Sequence, residues 1–166
     1  MITLYKILPE CCADTFLASL LLPIGTIPHY TGIGDVTNGI KKYDGDEYII
    51  GLVDTDKFKR DTEYIKRFVL IEDRIKEEGL LIVRLPDTNK HLIRLHPAFE
   101  KWAWATAKSC DVVAANYGFD TYQKFQKAAK KLDVAKNKNI EDFLLDIIDK
   151  NPPAIQTLRL WLHKAI

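Results

Sequence analysis

The sequence predicts an α/β domain: a mostly parallel sheet flanked by helices, followed by a helical C-terminal extension. Three observations carry this. Strand-like runs at Ile2–Leu8 and Glu47–Val53 alternate with helical stripes. The second run, EYIIGLV, is nearly continuous apolar sequence, as a central strand covered on both faces requires. After Asn116-Tyr117-Gly118 only helical patterns remain. A chain of 166 residues that is 47% hydrophobic suits a single domain over 1–166, with an α/β core at 2–112 and the extension at 113–166.

In chain order, Pro9 ends the first strand, and Cys11–Leu22 carries a stripe of Phe16, Leu17, Leu20 and Leu21. Asp14 falls in the first turn of that helix, where negative charge is favoured. Pro23 and Gly25 stop it. Ile27–Thr31 reads as a short strand. Gly32-Ile33-Gly34-Asp35 then leads into a helix over Val36–Lys42 with Asp35 as its cap. Asp44-Gly45-Asp46 turns the chain into Glu47–Val53. Right-handed crossovers place Ile2–Leu8 and Glu47–Val53 side by side and parallel. Glu63–Glu78 reads as a helix closed by Gly79. Leu80–Leu85 and His91–Leu95 read as strands joined by the turn Pro86–Lys90. Pro97 opens a helix to about Cys110. Thr121–Leu132, Ile140–Asp149 and Ala154–Lys164 follow, the last two parted by Asn151-Pro152-Pro153.

Lysine plus arginine number 24 and aspartate plus glutamate 23, so the net charge of +1 exerts no global pull on nucleic acid or membrane. The three cysteines, Cys11, Cys12 and Cys110, form no disulfide framework or zinc spacing. Met1–Pro9 lacks a basic segment leading into a long apolar run, and the apolar stretch Phe16–Ile24 is too short to span a bilayer. A cytoplasmic, reducing setting without membrane contact is expected. No Walker A, dinucleotide or HExxH motif is present.

The chemistry-bearing feature is acidic. Asp54 and Asp56 follow the apolar run Glu47–Val53, at the strand end where open parallel sheets bind ligands. Residues two apart on an extended chain point the same way. Glu10 follows the first strand. If the two strands are neighbours, three carboxylates converge, and a divalent cation relieves their repulsion. Oxygen-only ligands favour Mg²⁺ or Mn²⁺.

Pro9-Glu10 with its following helix, Thr31-Gly32-Ile33-Gly34-Asp35-Val36, and Leu52-Val53-Asp54-Thr55-Asp56 together resemble the Toprim fold. That family includes primases, topoisomerases, recombination proteins and the nuclease domain of OLD-type proteins. The likeness covers roughly residues 2–105. It implies catalytic and metal-binding roles for Glu10, Asp54 and Asp56, and substrate contacts from Gly32, Gly34 and Lys57. Leu95-His96-Pro97-Ala98-Phe99-Glu100-Lys101-Trp102 resembles a segment of small Toprim-like proteins of mobile elements and phage defence. It makes Glu100 an additional candidate acid, with Trp102 packed beneath. The chain departs from the family at Cys11, where a glycine is usual, and in lacking a Gly-Lys pair in its phosphate-friendly turn.

The resemblance implies Mg²⁺-dependent cleavage of a nucleic-acid phosphodiester. A degenerate Toprim-like module that binds nucleic acid, a protein partner or a second copy without chemistry is the alternative. A receiver-like or nucleotide-binding α/β domain is a third reading, disfavoured because only Glu10 stands where a receiver needs an acidic pair. In the plain structural reading, Asp-x-Asp is a loop that caps a helix, Glu100 an ordinary first-turn acid, and Lys57 a solvated lysine.

Overall fold

The computed structural model describes residues 6–23, 25–55 and 61–166. The two apolar runs form the parallel pair expected of them. Strand β1 (Ile7–Pro9) lies beside β2 (Ile49–Asp54), with Ile7 opposite Ile50 and Pro9 opposite Leu52. The first part of the expected opening strand, Ile2–Tyr5, lies outside the described residues. The other strands are β3 (Val69–Arg74), β4 (Leu80–Arg84) and β5 (Lys90–Leu95). The sheet order is β1-β2-β5-β4-β3. Strand β5 pairs parallel with β2, whereas β4–β5 and β3–β4 are antiparallel, so the sheet is mixed.

Among the described residues, seven α-helices accompany it: α1 (Cys12–Leu21), α2 (Gly32–Lys42), α3 (Ile75–Glu78), α4 (Phe99–Ser109), α5 (Tyr122–Ala129), α6 (Lys138–Lys150) and α7 (Pro153–His163). Because side chains alternate across a strand, β2 serves two cores. Ile49 and Val53 pack with Val36 and Ile40 of α2. Ile50 and Leu52 point the other way, into a larger cluster with Leu17, Phe99, Phe125, Phe143 and Leu158. The helical extension therefore shares its core with the sheet. Its centre is aromatic: Phe125 lies 5.1 Å from Phe143 and 5.4 Å from Phe119, each edge-on.

Two glycines let α2 lie close on the sheet. A Cβ at Gly51 would stand 2.6 Å from Leu92 Cδ2 and 2.8 Å from Val36 Cγ1. A Cβ at Gly39 would collide with Leu8 Cδ2. Among the described residues, no helix is long and apolar enough to cross a membrane.

Three expectations are overturned. Glu63–Glu78 is not one helix. It holds a short 3₁₀ turn (Ile65–Arg67), strand β3 and the four-residue α3. The β-branched Val69 and Ile71 favour extended chain, and pairing of Val69 with Arg84 and Arg74 with Leu80 settles it. Gly79, left-handed at φ +65°, does close the helical turn. Ile27–Thr31 is irregular rather than a strand. Pro28 has no N–H to give a ladder, and Ile27 is buried without one. Helix α2 also begins earlier than expected. Asp35 sits in its first turn and accepts from the Thr31 N–H at 3.3 Å instead of capping the helix.

Candidate functional site

The carboxyl ends of the three parallel strands β1, β2 and β5 meet at one cleft of about 610 Å³. Glu10 follows β1, Asp54 ends β2, and the chain after β5 turns through Pro97 and Ala98 into α4. All four residues line the cleft, together with Glu100.

Glu10 is held from both ends. Its N–H donates to Leu52 O at 2.9 Å, continuing the β1–β2 ladder, and its carbonyl accepts from Gly32 N–H at 3.0 Å. Its Oε2 accepts from the Asp54 N–H at 2.9 Å. The side chain is only 3% exposed. Asp54 turns toward α4, where its Oδ1 accepts from the Phe99 N–H at 3.0 Å. A carboxylate is stabilised at such a helix N-terminus. Asp54 thus does cap a helix, as the plain structural reading supposes, while standing beside Glu10.

The N-terminus of α1 adds an acid whose burial the sequence reading missed. Cys11 is the N-cap, and its Sγ accepts from the Asp14 N–H at 3.4 Å. In return its thiol donates to Asp14 Oδ2 at 3.1 Å. Asp14 is fully buried, and Oδ1 has no hydrogen-bond partner among the described residues. Burial, followed by the charge of Asp54 and then those of Glu10 and Glu100, pushes its carboxyl well above the ordinary range, although the Cys11 thiol opposes this. Burial and the Asp14 charge likewise push the Cys11 thiol far up, so this thiol is a hydrogen-bond donor and not a helix-start thiolate. The missed signal was positional: Asp14 lies three, four and seven residues before Leu17, Ala18 and Leu21, on the buried face of α1.

The other expected residues are distributed as follows. Glu100 lies in the first turn of α4 and faces the cleft. Gly32 lines the cleft, but its N–H is committed to Glu10, and Gly34 is not among the lining residues. Asp56 and Lys57 lie outside the described residues. His96 bonds the Thr55 hydroxyl through Nδ1 at 2.7 Å, next to Asp54. Trp102 is buried and donates from Nε1 to Glu78 O at 3.0 Å. Cys12 and His29 share a wall of the cleft, with Sγ 3.8 Å from Nε2.

Among the described residues no three His, Cys, Asp or Glu side chains are gathered closely enough to hold a metal ion. The carboxylates that line the cleft are those of Glu10, Asp54 and Glu100, and carboxylate oxygens are the donors a hard cation engages.

No protein-family model, curated protein or solved structure matches the chain.

Proposed function

We propose that the protein is a Toprim-like, Mg²⁺-dependent enzyme that cleaves nucleic-acid phosphodiesters. The observation that supports this best is the meeting of Glu10 and Asp54 across the β1–β2 pair, at the strand ends of a cleft that Glu100 also lines. Mg²⁺ or Mn²⁺ held by Glu10, Asp54 and Asp56 would polarise the phosphate and lower the pKa of water. Glu10, fixed by the Asp54 amide, accepts the proton of the attacking water. Asp54, anchored on the first amide of α4, holds its carboxylate at the cleft floor. Asp14 lies buried beside them, its carboxyl pushed up by burial and then by the Asp54 charge.

A Toprim-like module that binds nucleic acid or a protein without chemistry is the alternative reading. The two readings separate on cleavage. With Mn²⁺, the purified chain is expected to nick DNA or RNA, and Glu10→Gln to remove most of that activity. Absence of metal-dependent cleavage on single-stranded, duplex and RNA substrates would leave the binding module as the better reading.

A further inference from the structure

The cleft has a second wall, and it is basic. Lys101 comes from α4, and Lys130 and Lys131 directly follow α5 in the helical extension. All three are exposed, and among the described residues none forms an ion pair with a carboxylate. This sets them apart from Lys6, Lys66, Lys124 and Lys138, which pair with Glu47, Glu63, Asp120 and Asp142. In a chain of net charge +1, three unpaired lysines facing an acidic floor are a local feature that the totals conceal. A site for a cation alone gains nothing from a lysine rim. A ligand with phosphates is served by both walls.

Two further features narrow the ligand. Tyr122 stands on the same wall, held edge-on by Trp104 with ring centroids 5.7 Å apart, so an aromatic ring is fixed beside the lysines. Leu132, 87% exposed, adds an apolar edge. The cleft has the volume of a small-molecule pocket, not of a groove as wide as a duplex. Cationic side chains tracking a backbone, with an aromatic ring for an unpaired base, are the means by which proteins hold single strands.

We propose that Lys101, Lys130 and Lys131, with Tyr122, form a wall that holds a single nucleic-acid strand against the acidic floor. The helical extension is then the substrate-holding half of the site. The inference deepens the nuclease reading and rests on it for the polarity of the bound strand toward the floor, but its test reads binding, not cleavage.

The test uses the full chain and a fluorescein-labelled oligothymidylate of roughly a dozen nucleotides, followed by anisotropy over rising salt. Lys130→Gln with Lys131→Gln is expected to weaken binding about tenfold, and to lower the salt slope by about 0.7 for each lost phosphate contact. Lys136→Gln with Lys138→Gln, outside the cleft, removes the same charge and is expected to change little. Equal losses in both double variants would overturn the proposal, as would tighter binding of a duplex of equal length or no single-strand binding by the wild type. The Mn²⁺ shift in melting temperature, read on the same proteins, separates the two ideas. A wild-type shift with lysine-independent binding sinks the wall alone. No shift with lysine-dependent binding sinks the metal reading and leaves the wall standing.

Discussion

Forty-four positions apart in sequence, Glu10 and Asp54 are joined by a hydrogen bond of 2.9 Å from the Asp54 backbone N–H to Glu10 Oε2. Parallel pairing of β1 and β2 brings their strand ends level, so the contact follows from the sheet register. The Glu10 side chain therefore has a structural task besides any chemical one, and substitutions can separate the two.

Glu10→Gln keeps an oxygen acceptor for the Asp54 amide and removes the charge. It is expected to fold normally, with a melting temperature near wild type, and to lose the Mn²⁺-induced stabilisation that binding to the native state confers. Glu10→Ala leaves that amide unpaired and is expected to cost about 1–3 kcal/mol. Thermal melts with and without Mn²⁺ check both. An undiminished Mn²⁺ response in Glu10→Gln would remove Glu10 from the metal site.

Asp14 should make the protein less stable as pH rises. Its folded-state pKa is raised above the ordinary 3.8, so its contribution is fully present below that value. The contribution is lost as pH climbs through the folded value. Asp14→Asn keeps an acceptor for the Cys11 thiol and cannot ionise. At neutral pH without divalent metal it is expected to be more stable than wild type by about 1–3 kcal/mol, with the gain shrinking toward pH 4. Urea melts across that range measure the difference.

His91 should act in the opposite sense. Its ring is 4% exposed, stacks on Tyr48 at 5.2 Å and donates from Nδ1 to Asn89 O at 3.1 Å. Burial holds its pKa below the ordinary 6.5, helped by the Arg84 and Lys164 charges and opposed by the Asn89 bond. The stability it contributes is present above 6.5 and is lost as pH falls through the lowered folded value. His91→Phe keeps an aromatic ring, forgoes a hydrogen bond worth about 0.5–1.5 kcal/mol, and is expected to flatten the acid limb of the stability profile.

Phe143→Ala tests the shared core. The ring is completely buried on α6 and sits among Tyr117, Phe119 and Phe125. Its loss is expected to cost about 3–5 kcal/mol and to shift one cooperative transition, read alike by circular dichroism and by tryptophan fluorescence. A transition that splits in two would show that the extension melts separately.

The β1–β2 pair was legible because a continuous apolar run and a crossover rule both act locally. Glu10 and Asp54 followed, since strand ends carry ligands whatever the loops do. Strand β3 was not legible: Val69, Leu70 and Ile71 are exposed at the sheet edge, so no burial period marks them in the sequence. Asp14 was read as a favourable first-turn charge, although its place on the Leu17–Leu21 stripe pointed inward. The lysine wall depends on the end of α5 lining the same cleft as Glu10, more than a hundred residues away, and no local pattern encodes that.

The two glycines beneath α2 have a consequence for how this protein can vary. The helix rests on the sheet with no clearance at Gly39 or Gly51, and its first residue, Gly32, is tied to the Glu10 carbonyl. A methyl group at either glycine acts as a shim: it props the helix off the sheet and drags the tether. Gly51→Ala would then misalign an acid on a different strand while touching nothing in the cleft. Drift in the packing beneath α2 and drift in the seat of Glu10 are one degree of freedom.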